Sequence, residues 1–396
     1  MKSALYLLIA VTALLVSQSF ITTCHGSETA ASLNPSISPD TTAASNALAD
    51  VQKYNRSIHI MAMLLVGFGF LMVFVKRYGL SAVTATYLLV SVAIPVYLLI
   101  KNFGEARVEI DKLILAEFAA ASLLICAGAV LGRLKMGQYM LLAVLFIPSY
   151  MLNEWIVLDG GLRLMPGSFV DTGGSIVIHA FGALFGMGVI MTMTTKKEFD
   201  AKIESDSTSD RFSMLGSMVL WLFWPSFCAA LVSPELVPFT AVNVVLALCG
   251  ATIATYFASV LLRGKICIGD IANAALAGGV AIGSTCDKTN HVVAFVIGLL
   301  AGLLSTAGFA VIQSKLQNKF KKIDTCGVLN LHGFPGLMGG IAAMFVVNGI
   351  NRSAQLAGIF ISIVISLAAG LVSGKVLSVL GRRAEPYVDS EEFIGD

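Results

Sequence analysis

The sequence predicts an all-α polytopic membrane protein, with 11 core transmembrane helices built from an inverted five-helix repeat. Three observations predict it. The chain of 396 residues is 57% hydrophobic and only 13% charged, with mean hydropathy +0.84, whereas a soluble domain is about 25% charged. Eleven apolar runs each approach or exceed the roughly 20 residues that cross a hydrocarbon core as a helix. Finally, the segment 171–187 recurs without a gap at 324–340, and an internal repeat exposes architecture before any motif does.

Taken in order, Lys2 and the apolar run from Ala4 to Val16 read as a signal peptide or, extended to about residue 25, as an extra N-terminal transmembrane helix. Residues 26–57, rich in Ser, Thr, Ala, Pro and Asn, read as an extended polar segment outside the membrane. It holds a glycosylation sequon at Asn55. The membrane domain, 58–375, has its runs near 58–75, 80–100, 113–132, 136–157, 172–194, 213–233, 239–261, 266–284, 290–312, 325–349 and 354–374. Pro95, Pro148, Pro225 and Pro335 interrupt four of them, which membrane helices tolerate when neighbours cover the freed backbone groups. Residues 376–396 form a tail that ends acidic.

Lys and Arg are enriched in cytoplasmic loops. One alternate set of loops and tail holds 17 of them and the other set, with the segment before the first run, holds 8, which predicts a cytoplasmic C-terminus. Net charge is +2 and the basic residues are dispersed, so no nucleic-acid partner is implied. Cys126, Cys228, Cys249, Cys267 and Cys326 lie in or beside apolar runs without CxxC spacing and read as packing residues. Cys24 and Cys286 fall in segments placed outside, where a disulfide is a weaker reading.

The repeat pairs Asp171 with Asp324, Gly174 with Gly327 and His179 with His332. Its two copies open the fifth and tenth spans, so they run in opposite directions, the inverted arrangement that transporters use around a midplane site. Each histidine is eight residues into its helix, roughly 12 Å deep at helical rise. A single intramembrane histidine is as readily an interhelical glue as a functional group. Two at symmetry-equivalent depth point to a pathway, because polar groups there are costly and face a cavity or each other. Imidazole suits this, being donor on one nitrogen and acceptor on the other.

Asp171 and Asp324 sit at helix starts, where a carboxylate caps free backbone N–H groups. The competing reading is a ring of acids at the mouth that attracts cations: Glu117, Glu154 and Asp171 at outer helix ends, with Asp270 near an inner end. Phe118 and Phe227 fall roughly 8–9 Å below the outer surface, just outside His179. Among 23 phenylalanines only that depth distinguishes them from packing residues.

These motifs, with Leu-Trp-Leu-Phe-Trp-Pro-Ser-Phe (220–227), Leu-Ala-Gly-Gly-Val-Ala (276–281) and Val-Gly-Phe-Gly-Phe-Leu-Met (66–72), resemble the Rh glycoprotein branch of the ammonium transporter family over about 58–375. The resemblance implies a plasma-membrane homotrimer with one pore per subunit and no cofactor. It also implies that ammonium is deprotonated at the outer vestibule and that ammonia passes a paired-histidine site. His179 and His332 match the twin histidines, Phe118 and Phe227 the gate, and Asp171 the helix-start aspartate. Such members carry an extra N-terminal helix and a glycosylated loop. Cys228 departs from the asparagine usual after the second gate phenylalanine, and the tail is shorter than in many members. Alternatives are a carbon dioxide channel, which the same apolar pore would serve, and a non-transporting ammonium sensor or scaffold, against which retention of both histidines argues. No P-loop match is present, so direct ATP-driven pumping is not implied.

Overall fold

The computed structural model describes residues 39–394 apart from 104, 106, 201, 202, 384 and 392. The N-terminal apolar run and Cys24 lie outside the described residues, and so does the choice between a cleaved signal and a retained helix. Among the described residues there is no strand, and nine helices are long and apolar enough to cross a membrane. In chain order these are α1 (Ser45–Phe74), α2 (Lys76–Lys101), α3 (Ile110–Ala129), α4 (Met136–Val157), α5 (Ser175–Met193), α7 (Pro234–Arg263), α9 (His291–Phe320), α10 (Leu329–Val346) and α11 (Arg352–Val379).

The other two expected spans are present as helices of different character. Helix α6 (Ser207–Cys228) has the length, but its first half carries Asp210, Arg211 and four serines. Helix α8 (Ile268–Ile282) is apolar but short, and is broken between Ala274 and Ala277.

Local sequence sets the helix ends. Asp206 accepts hydrogen bonds from Thr208 N and Ser209 N at the start of α6. Asn290 and Asn351 do the same for Val293 N and Ala354 N at the starts of α9 and α11. Each satisfies a donor that the first helical turn leaves unpaired. Helix α7 stops at Gly264, which takes the left-handed conformation.

The expectation of an extended segment over 26–57 is corrected: Pro39–Ala62 is helical and leads directly into the span. Proline is at home in a first helical turn, and tertiary contacts hold the rest despite its polar composition. Lys53 pairs with Asp111 at 2.7 Å, Ser57 Oγ donates to Glu117 at 2.6 Å, and Arg56 Nε donates to the Ala230 carbonyl at 3.2 Å. Asn55 is exposed on this helix.

Burial orders the helices from inside out. In α3 and α5, 83% of the apolar window is buried, against 33% in α2 and α11. The fully buried stretch of α3 runs from Ala116 to Ala129 through small residues that admit α5 closely. Between α7 and α9 the approach is tighter still: a Cβ added at Gly298 would lie 2.0 Å from the Ala247 carbonyl oxygen. Small residues dominate such contacts because lipid supplies no hydrophobic drive between helices and close backbone packing must. The C-terminal tail folds back on the basic end of the molecule. Tyr387 N donates to the Gly132 carbonyl, and the Asp389 carboxylate accepts from Leu80 N and Ser81 N at the start of α2.

Candidate functional site

Both histidines lie in π-helical turns that begin their helices, Ser175–Ala180 and Leu329–Gly333. The local cause is the same in each copy. Gly174 and Gly327 take φ of +74° and +66°, which glycine adopts without the Cβ clash of other residues. The chain therefore turns sharply into the helix, and His179 N reaches back to the Gly174 carbonyl at 3.0 Å. Such wide turns are short and concentrate at functional sites.

An aspartate caps each start. Asp171 accepts from Ile176 N at 3.0 Å, Val177 N at 2.8 Å and Ser284 Oγ at 2.6 Å. Asp324 accepts from Val328 N and Leu329 N, both at 3.0 Å. Each start is also pinned to the opposite half: Gly173 N donates to the Gly283 carbonyl just after the short α8, and Cys326 N to the Gly128 carbonyl in α3. Crossed anchoring of this kind brings the two helix starts together from opposite ends.

The result is that His179 and His332 meet. Their Nδ1 atoms are 3.3 Å apart, 153 positions apart in sequence, with ring planes 13° from parallel. Both are buried, at 2% and 4% exposure. With one imidazole donating through Nδ1–H, the other must accept at Nδ1. A neutral pair then offers a lone pair on Nε2 at one end and an N–H at the other. His179 Nε2 has no partner among the described residues.

Phe118 and Phe227 converge on one side of the pair, with ring centroids 4.7 Å apart and Phe227 6.1 Å from His179. On the other side, His332 borders a cavity of about 20 Å³ walled by Phe68, Leu124, Val328 and Leu331 among others. The order is thus paired phenylalanines, His179, His332 and an apolar cavity.

The acidic ring does not form as expected. Glu117 is withdrawn from solvent against Ser57, and Glu154 accepts from Tyr97 Oη at 2.6 Å. Asp270 is buried in an ion pair with Arg263 at 2.7 Å and accepts from Ser259 Oγ. Asp171 and Asp324 are occupied by backbone N–H groups. Each carboxylate has a helix-joining contact close by, and burying one without hydrogen bonds would be prohibitive.

Two site residues escaped the reading of single positions. Trp224 stacks beside His179 with centroids 5.5 Å apart, and Phe68 stacks beside His332 at 6.3 Å. Both lay in the quoted motifs. Trp224 is three residues before Phe227, hence on the same helix face, and that spacing was the available signal. Cys228 is a buried packing residue as expected, its sulfur against Gly173.

The model of the Ammonium Transporter Family matches residues 39–391. The chain belongs to that family. Its relatives place it in the Rh branch. It is 35% identical over 370 residues to the ammonium transporter Rh type A of Bos taurus, covering 88% of this chain and 84% of that one. It is also 35% identical over 369 residues to the Rh type B transporter of Homo sapiens, covering 84% and 78%. Among solved structures, Nitrosomonas europaea Rh50, a member of the Rhesus protein family of channels, superposes with a TM-score of 0.86 at 56% identity, covering 89% of this chain and 94% of that one. A sensor Amt protein, 18% identical with a TM-score of 0.74, shares the fold. For this ammonium transporter family member, the repeated Asp-Thr-x-Gly segments are thus what shape the buried histidine pair.

Proposed function

We propose that the chain is a passive membrane channel for ammonia, fed by ammonium that loses its proton at the outer vestibule. The observation that carries this reading is the 3.3 Å contact between two buried imidazoles in line with a phenylalanine pair. An ammonium ion crossing such an apolar stretch would forfeit its hydration, at a cost of tens of kcal/mol by Born solvation in a low-dielectric interior. Neutral ammonia carries no such penalty. It donates to an imidazole lone pair and accepts from an imidazole N–H, and the histidine pair offers one of each. Trp224, Phe227 and Phe68 exclude bulk water around it. Relatives named ammonium transporters and a channel of the Rhesus family support the same solute.

The wider reading is of a homotrimer in the plasma membrane, one pore per subunit, with the Lys- and Arg-rich loops and the tail in the cytoplasm. Asn55, exposed on its helix, is the glycosylation site in this orientation. No enzymatic step is part of the mechanism. Carbon dioxide, also small and neutral, is a second candidate solute for the same apolar path.

The test is ammonia-driven pH change and methylammonium uptake in proteoliposomes at controlled voltage, for wild type, His179→Ala and His332→Ala. Flux without net charge, reduced at least tenfold in both variants, is expected. Unchanged flux in the variants would remove the histidines from the pathway, and no flux in wild type would favour the sensor or scaffold.

A further inference from the structure

The outer turns of α1 touch the chain on both sides of the phenylalanine pair. Ser57 Oγ donates to Glu117 Oε1 at 2.6 Å, and Glu117 immediately precedes Phe118 on α3. Glu117 is fully buried, and its other oxygen, Oε2, has no partner among the described residues. Two positions along α1, His59 Nδ1 lies 2.9 Å from Ser226 Oγ, and Ser226 immediately precedes Phe227 on α6. Two residues are about 200° apart around a helix, so Ser57 faces α3 while His59 faces α6. The His59 ring also stacks on Phe223, one turn back on α6, with centroids 4.8 Å apart. Arg56 Nε donates to the Ala230 carbonyl, and Ala230 N donates in turn to the carbonyl of Phe227 itself. One helix thus grips the residue before each ring of the pair.

We propose that Ser57 and His59 are positioning residues for Phe118 and Phe227, holding the two rings at the separation that passes ammonia and holds back larger amines. Each acts through the residue beside a ring and not on the solute. Ser57 is the one partner of the Glu117 carboxylate among the described residues, and a buried carboxyl without a hydrogen bond is prohibitively costly. Without Ser57, α3 must turn to bring Glu117 to water, and Phe118, the next residue on that helix, turns with it. On α6 the weakness is in the helix itself. Pro225 cannot donate to the Trp221 carbonyl four residues back, so the ladder is short of a bond just before Phe227. The end of α6 that bears this ring therefore depends on contacts from outside its own helix, and His59 and Arg56 supply them. Selection between amines rests on the channel reading above; the placement of the rings does not.

Two measurements on the full chain test this. With para-fluorophenylalanine in place of Phe118 or Phe227, fluorine NMR in detergent reports each ring whether or not the protein conducts. Ser57→Ala should shift the resonance at the first position and His59→Ala that at the second. Ser57→Thr, which keeps the hydroxyl, and His59→Asn, whose amide reaches the place of Nδ1, should leave both as in wild type. In proteoliposomes, methylammonium and ammonium fluxes are measured on the same vesicles, so that their ratio does not depend on how much protein folded. One carbon is worth about 10–200-fold in a closely fitting apolar site, so loosening the rings should raise that ratio by roughly threefold or more in each alanine variant. In a Phe118→Ala/Phe227→Ala background the same two substitutions should change the ratio no further. Unmoved resonances, an unchanged ratio with the rings present, or an equal rise without them would overturn the proposal. Resonances that move as stated in a protein without wild-type flux would remove the channel reading while upholding the placement of the rings.

Discussion

Replacing Asp171 by asparagine and by alanine distinguishes a structural cap from a cation attractor. Asp171 Oδ2 accepts from both Ile176 N and Val177 N, while Oδ1 accepts from Ser284 Oγ. An asparagine in the same rotamer keeps the two backbone bonds on its single oxygen. Its amide then faces Ser284, whose hydroxyl turns from donor to acceptor. Only the charge at the helix start is lost, about 0.3–1 kcal/mol. Alanine leaves two buried N–H groups unpaired at about 1–3 kcal/mol each, together roughly 2–6 kcal/mol. At about 2–4 °C per kcal/mol for a large chain, alanine should lower the melting temperature in detergent by roughly 5–20 °C and asparagine by no more than about 4 °C. Flux should follow stability: Asp171→Asn stays within about threefold of wild type, while Asp171→Ala loses the π turn that presents His179. If Asp171→Asn melts like wild type yet conducts tenfold less, the negative charge itself serves the pathway and the capping argument fails.

Three further outcomes follow from other contacts. Asp206, at the start of α6, has its carboxyl held below the usual range by the Ser209 and Thr208 N–H groups and by Lys76. A depressed folded value gives stability that is present above the unfolded carboxylate value of about 3.9 and is lost as pH falls through the folded one. The melting temperatures of wild type and Asp206→Asn should therefore differ at pH 6 and converge only as the pH falls below the depressed folded value. Asp389→Ala removes the acceptor for Leu80 N and Ser81 N; it should cost about 0.5–2 kcal/mol and expose the tail to limited proteolysis. In a glycosylating host, Asn55→Gln should remove all sugar and Asn351→Gln none. Asn351 is committed to Ala354 N and the Pro166 carbonyl, whereas Asn55 is exposed.

Much of this architecture was legible because bilayer thickness and charge asymmetry act on long stretches at once. The apolar runs, the repeat and the opposed directions of its copies needed no side-chain detail. The helix α1 was misread at its start because Ser, Thr and Asn argue locally against a helix, while Lys53, Ser57 and Arg56 find partners 58 to 174 positions away. The acidic ring was misread for a related reason. Sequence position gives the height of Glu117, Glu154 and Asp270 in the membrane but not the direction each faces around its helix, and all three face neighbouring helices.

The histidine pair shows where height was enough. Depth alone placed His179 and His332 at one level but left their lateral separation open. That separation is closed by features the repeat carries twice: a capping aspartate, a left-handed glycine three positions on, and a wide turn that contains the histidine. Because the glycine carbonyl accepts five residues ahead, at His179 N, the helix gains a residue in that turn and the side chain swings relative to an α-helical register. Two symmetry-related starts, each containing a wide turn and anchored to the other half through Gly283 and Gly128, bring their imidazoles together. A residue other than glycine at 174 would place its Cβ 2.3 Å from Ile178 Cδ1. Relieving that clash through the backbone would disturb the turn and thereby the contact between the two rings.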